Sequence, residues 1–208
     1  MKIPYLLIAL FFSYTLWSQS PYQKGMTKAF ELWEQDETLQ ASQLFERIAV
    51  AETDNWLPPF YAGQILILEA FTTDDKTVMV ESLKKAEDFI QTAQLRSRNN
   101  PEIMVAEAQL LTAWIVYDSD QYGMKNSMKI TEIYKKAMAL APENPRVVLG
   151  NAEWNIGSAK FFNKDVTPYC SEVQRAIDLF ATFKAKGEFY PSGGKEHALQ
   201  VLETNCGG

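Results

Sequence analysis

An all-α fold of repeated helical hairpins is the class this sequence predicts, on three observations. Apolar residues recur at helical spacing along nearly the whole chain, and no stretch alternates convincingly with the period of a strand. Proline-flanked corners, such as Asn99-Asn100-Pro101-Glu102 and Pro142-Glu143-Asn144-Pro145, separate the helical stretches. The same kinds of residue also return at a nearly constant interval. Phe45, Ile90, Tyr134 and Phe180 stand 45, 44 and 46 residues apart, and the prolines expected to open the following helices (Pro58, Pro101, Pro145 and Pro191) come 13, 11, 11 and 11 residues later. Gly63, Ala106 and Gly150 each lie five residues after one of the first three prolines, and a small residue there lets two helices approach closely.

Taken in order, a helix over 22–35 places Met26, Ala29, Phe30 and Trp33 on one face. Its partner over 38–52 carries Leu39, Ala41, Leu44, Phe45, Ile48 and Ala49. Asp54 and Asn55 cap a third helix that begins near Leu57, with Pro58 and Pro59 in its first turn. Tyr61, Gly63, Ile65, Leu66, Leu68 and Phe71 leave it apolar almost all round, so it is expected to be central. A polar turn at 72–76 precedes a helix over 77–98, and Asn100-Pro101 opens the next, which runs to Tyr117. A loop over 118–127 then leads into a helix that stops at Pro142, because proline has no N–H to donate and excludes the residue before it from helical geometry. Asn144 caps the following helix and Pro145 takes its first position, where a missing N–H costs nothing. That helix, over 145–161, offers Val147, Val148, Leu149, Ala152, Ile156 and Ala159 to a core. A loop at 163–167, a helix over 168–185, a turn region at 187–194 and a short closing helix with Ala198, Leu199 and Leu202 complete the chain. The expected organisation is a single repeat domain over 19–208, with hairpins at 21–53, 57–98, 101–141 and 145–185 and a capping helix at 194–205.

Composition narrows the function without naming it. Apolar residues make up 47% and charged residues 22% of the 208, as in ordinary folded proteins. Twenty basic against 26 acidic side chains give a net charge of −6, which argues against nucleic acid or an anionic membrane as the main partner. Residues 1–18 are expected to be a cleaved export signal: Lys2 supplies the positive end, 5–12 the apolar core, and Ser18 a small residue before the cut. An uncleaved anchor is the alternative, disfavoured because the run is shorter than a bilayer requires and is broken by Ser13 and Thr15. The remainder is expected to be periplasmic or extracellular, without membrane insertion after cleavage.

Export draws attention to Cys170, near the start of one predicted helix, and Cys206, near the end of the last. If the two helices run antiparallel, about 22 Å of rise down and about 16 Å back bring these ends together. A disulfide is then geometrically allowed and chemically favoured outside the cytoplasm; two separate thiols are the alternative.

The spacings Ala41-x3-Phe45, Ala86-x3-Ile90 and Ala176-x3-Phe180, Ala137 with Pro142 after Tyr134, and the small residues named above resemble the tetratricopeptide repeat family. The period here is longer than that family's unit of about 34 residues, and its opening tryptophan is missing. The layout is similar to small exported bacterial repeat proteins of unassigned activity. The resemblance implies a right-handed solenoid of about four hairpins plus a C-terminal capping helix, with ligands lying along the first helix of each hairpin on the concave face. Polar residues follow the small positions on those helices, as Gln64, Glu107 and Asn151, with Trp154 and Asn155 one turn further on. These five are the candidate contacts for a protein or peptide partner in the cell envelope, Trp154 foremost because an aromatic ring gives much contact for little entropy. Plain solvent exposure is the alternative for all five. A small-molecule or glycan binding protein of the envelope, or a subunit of a homomeric assembly, are the other functions considered.

Little in the chain points to a reaction. Asp118-Ser119-Asp120-Gln121-Tyr122-Gly123 begins like a calcium-binding loop, but Lys129 stands where that loop needs a bidentate glutamate. His197 is the only histidine and reads as a surface residue. About 13 Å of helix separates it from Cys206, too far for a nucleophilic pair. Neither a Gly-rich phosphate loop nor a metal-ligand spacing is present, so no enzyme and no cofactor are expected.

Overall fold

A computed structural model describes residues 19–207 of the protein; the export signal expected over 1–18 lies outside them. The described residues form an all-helical fold with no strand: α1 (Pro21–Glu34), α2 (Thr38–Ala51), α3 (Leu57–Thr72), α4 (Lys76–Arg96), α5 (Pro101–Tyr117), α6 (Ser119–Leu140), α7 (Pro145–Phe161), α8 (Cys170–Thr182) and α9 (Lys195–Cys206), with a 3-10 turn at Thr167–Tyr169. Among them, no helix is long and apolar enough to cross a membrane.

Local chemistry sets most of the boundaries. Ser20 and Gln23 form a reciprocal capping box ahead of Pro21. Asn100 Oδ1 accepts from Glu102 N and Asn144 Oδ1 from Arg146 N, each at 3.0 Å, so the α4–α5 and α6–α7 corners repeat one cap-plus-proline device.

Two expectations are corrected at the level of elements. The stretch 118–127 is helix rather than loop, because Asp118 accepts from Gln121 N at 3.0 Å and so caps α6 directly after α5 ends. Gly123 accordingly sits inside α6 with no atom crowding it and needs no turn of positive φ. Pro191 does not open a helix either. It is buried within the irregular segment 183–194, and α9 begins at Lys195 behind Gly194.

Each helix packs on the next along the chain, and α5 also touches both α3 and α7. α3 is the centre, with eleven of its sixteen residues buried. Leu68 and Phe71, expected on its apolar surface, are instead partly exposed. The periodic positions mark where helices meet. Phe45, Ile90 and Tyr134 are buried, while Phe180 is half-buried under Gly194. Gly63 faces Ile90 and Phe89 of α4, whereas Gly150 faces Tyr134 of α6. One sequence position therefore serves contact with the following helix in α3 and with the preceding helix in α7. In α9 Ala198 and Val201 are buried, and Leu199, expected to pack, is 47% exposed.

α8 and α9 bring Cys170 and Cys206 together in a disulfide, with their Cα atoms 5.8 Å apart and the two cysteines 36 positions apart in sequence. Closing a loop of that length removes about 3–4 kcal/mol of chain entropy from the unfolded state. Cys206→Ser, or reduction of the wild type, is therefore expected to lower unfolding free energy by about 3 kcal/mol in urea titrations followed by circular dichroism. The two open and crowded glycines of α7 give a second test. A methyl group on Gly150 would sit 2.7–3.1 Å from three atoms of the buried Tyr134 ring, whereas nothing lies within 4 Å of one on Gly157. Gly157→Ala is expected to stabilise by about 0.5–1 kcal/mol through helix propensity, and Gly150→Ala to destabilise by about 1–2 kcal/mol through overpacking.

Candidate functional site

Helices α1, α3, α5 and α7 and the irregular segment 183–194 enclose a groove with a cavity of about 600 Å³. Its floor follows from helical spacing: Glu102, Val105 and Gln109 of α5, and Arg146, Leu149 and Glu153 of α7, repeat the same i, i+3, i+7 stripe. From α3 come Phe60, Tyr61, Gln64 and Leu68, and from α1 Phe30 and Trp33. One end is thus aromatic and the other charged, with an amide ladder between them in which Gln64 Nε2 donates to Gln109 Oε1 at 3.0 Å.

The segment 183–194 is a strap, fastened at both ends. At the aromatic end Tyr61 donates its hydroxyl to the Phe189 carbonyl at 2.7 Å. Burial, helped by the nearby charge of Glu102, pushes the Tyr61 pKa well above the ordinary value of 10, so the hydroxyl remains a donor. The Phe189 ring stacks on Phe30 with centroids 5.9 Å apart and meets Tyr22 edge-on at 5.8 Å. Tyr190 meets Trp56 edge-on at 5.5 Å, and Gln23 Nε2 donates to Glu188 at 2.9 Å. Phe189 takes φ 62, a left-handed conformation that a bulky residue adopts only when its surroundings hold it there. At the other end Arg146 reaches the Gly193 carbonyl at 3.4 Å and lies 4.6 Å over the Phe183 ring. Gly194 closes the strap at φ 120, where a Cβ would come 2.8 Å from Phe180.

The charged end rests on two pairs. Arg146 donates twice to Glu102, Nε to Oε2 at 2.7 Å and Nη2 to Oε1 at 2.6 Å, and Asn144 Nδ2 donates to the same Oε1 at 2.6 Å. With the two charged side chains only 14% and 11% exposed, this is a fork-to-fork pair largely withdrawn from water. Nearer the surface, His197 Nε2 lies 2.7 Å from Glu153 Oε1. The hydrogen bond to Glu153 raises the His197 pKa, partial burial opposes the shift, and the glutamate charge adds to it.

Of the five candidates from the sequence, the groove takes one. Gln64 lines it. Glu107 is turned away, held by Gln94 Nε2 at 2.6 Å and Lys129 Nζ at 2.7 Å. Trp154 donates its Nε1 to Thr131 Oγ1 of α6 at 3.1 Å. Asn151 and Asn155 are half-buried on α7, outside the lining. The groove face of α5 and α7 thus lies a fraction of a turn from the positions chosen beside the small residues. The residues missed were the aromatic ones of α1 and of the strap and the two charged pairs. Phe189-Tyr190, two large rings in a stretch without helical spacing, were the available signal.

By fold and site, this is an all-helical protein with a partly open groove that is aromatic at one end and charged at the other. No family model matches the chain, and no curated protein matches it. Among solved structures it is similar to the HusA haemophore from Porphyromonas gingivalis, with a TM-score of 0.76 over 90% of this chain and 94% of that one at 18% identity. At that identity the likeness establishes a shared all-helical fold.

The His197–Glu153 contact sets a pH dependence. A histidine whose folded pKa is raised adds stability that is complete below its unfolded value of about 6.5 and is lost as pH rises through the folded value. A ring-proton NMR titration is expected to place the His197 midpoint above 6.5, and Glu153→Gln to return it toward that value.

Proposed function

We propose that the protein is an exported carrier that holds a flat, largely apolar organic molecule with an acidic edge in this groove, on a tetratricopeptide-like scaffold of stacked helix pairs. The observation that carries the reading is the division of the groove into an aromatic and a charged end. About 600 Å³ is ample for a ligand of drug or cofactor size. Phe30, Trp33, Phe60, Tyr61 and Phe189 offer ring faces and edges to a planar molecule at one end. Arg146 and His197, paired there with Glu102 and Glu153, leave their remaining N–H groups as the donors of the lining at the other end for a carboxylate edge. The HusA likeness supports haem as the first probe, since that protein is a haemophore by name and haem is planar with two carboxylates on one edge. The Cys170–Cys206 disulfide supports an oxidising compartment.

Binding rather than catalysis is the better-supported role, because the ionisable groups of the groove are paired with each other and none activates a nucleophile. A peptide partner has less support, because Glu107 and Trp154 are engaged with side chains of the chain's own α4 and α6.

The test is to titrate the chain lacking residues 1–18 with haem and with metal-free protoporphyrin IX, following tryptophan quenching. One-to-one binding is expected, weakened at least tenfold in Trp33→Ala and in Phe30→Ala, each the loss of an aromatic contact worth about 1.4 kcal/mol or more. Absence of binding by either porphyrin, or binding unaffected by both substitutions, rejects the groove as the site.

A further inference from the structure

Tyr134 of α6 is buried, with 4% of its surface exposed, yet its hydroxyl has no hydrogen-bond partner among the described residues. A hydroxyl inside a protein ordinarily finds one, because burying it unpaired costs free energy. Among the described residues no side-chain nitrogen or oxygen is both fully enclosed and unpaired. The Tyr134 hydroxyl therefore keeps a small opening to its surroundings.

Gly150 of α7 supplies that opening. A Cβ on Gly150 would lie 2.7 Å from the Tyr134 hydroxyl oxygen, so the oxygen stands in the place that a side chain would take there. Gly150 itself lines the groove, one turn after Arg146 and one turn before Glu153. Tyr134 thus comes from the row of helices behind the lining and meets it at the lining position of α7 that carries no side chain. Burial, followed by the charge of Glu153, pushes the Tyr134 pKa well above the ordinary value of 10. The hydroxyl stays protonated, a donor committed to nothing, at the charged end of the groove.

We infer that the Tyr134 hydroxyl, presented through the gap at Gly150, donates a hydrogen bond to the acidic edge of the molecule held in the groove. The inference rests on the groove reading above and deepens it with a specificity-determining residue from α6. Arg146 and His197 each spend part of their donor capacity on a glutamate, whereas Tyr134 has all of its own to give. A neutral hydroxyl withdrawn from water gives a carboxylate a short, charge-assisted bond. A molecule of the same shape whose edge is esterified offers it only a weaker acceptor, so the hydroxyl selects for the free acid.

The test uses protoporphyrin IX and its dimethyl ester, which keeps the plane and loses both carboxylates. Each is titrated into wild type and Tyr134→Phe by tryptophan quenching, with thermal melts followed by circular dichroism to check the fold. The substitution removes only an unpaired hydroxyl, so the melting temperature is expected to equal or exceed that of wild type. Tyr134→Phe is expected to bind protoporphyrin IX about tenfold more weakly and the dimethyl ester within about twofold of wild type. In wild type labelled isotopically at the tyrosine ring carbon that bears the hydroxyl, the Tyr134 signal, assigned by its absence from the variant, is expected to move with protoporphyrin IX and to stay with the ester. Equal affinity of wild type and Tyr134→Phe for protoporphyrin IX, or an equal loss for both probes, would overturn the role of Tyr134 and leave the groove in place. Failure of wild type to bind either probe would overturn both readings.

Discussion

The Glu102–Arg146 pair is the constraint on which the groove depends. Neither charge is accessible enough to be hydrated fully, so each is stable there only because the other is present with both arms of the fork engaged. Glu102 lies in the first turn of α5 and Arg146 in the first turn of α7, and Asn144, which caps α7, donates to the same carboxylate. One carboxylate therefore ties together the N-terminal ends of α5 and α7. The guanidinium also reaches the Gly193 carbonyl and covers the Phe183 ring, which fixes where the strap leaves α8 and where it returns. Position, spacing and enclosure of the groove all meet at this pair.

The strap adds a second wall to a face of helix stripes and makes a groove of it. Its far end docks by stacking and edge contacts of Phe189 and Tyr190 on rings from α1 and the α2–α3 corner, and by the Tyr61 hydroxyl. Aromatic pairs of this kind contribute beyond the area they bury. They hold Phe189 in a backbone conformation it would not take alone. The C-terminal region thus touches the first helix across almost the whole chain, Gln23 and Glu188 standing 165 positions apart. Opposite, the Cys170–Cys206 bond pins α8 to α9 and keeps His197, in the first turn of α9, beside Glu153 of α7.

The legible and the hidden parts divide along physical lines. Caps and prolines at Asn100-Pro101 and Asn144-Pro145 were readable because they act within a few residues of themselves. Asp118 was read as the start of a loop although it is a cap of the same kind. The difference is that α6 follows α5 without a proline to mark the corner. Gly63 and Gly150 were rightly read as points of close approach, yet the residue after each was taken as facing the ligand. On α3 that choice reached the groove at Gln64; on α5 and α7 it chose Glu107 and Asn151, which are turned away from it. The angle at which each helix presents its stripe depends on its neighbours, and helical spacing alone leaves it open.

By itself, then, the sequence determined an all-helical chain, the corners marked by a cap and a proline, three buried periodic positions and the two cysteines that could meet, because spacing, capping and proline geometry are local. Only the tertiary structure decided that there is a groove, what encloses it and which residues face it. Glu102 and Arg146 are 44 residues apart, and Tyr61 and Phe189 are 128 apart. Contacts over such separations leave no pattern in any short window of sequence; they arise when packing of the helices brings distant side chains within reach.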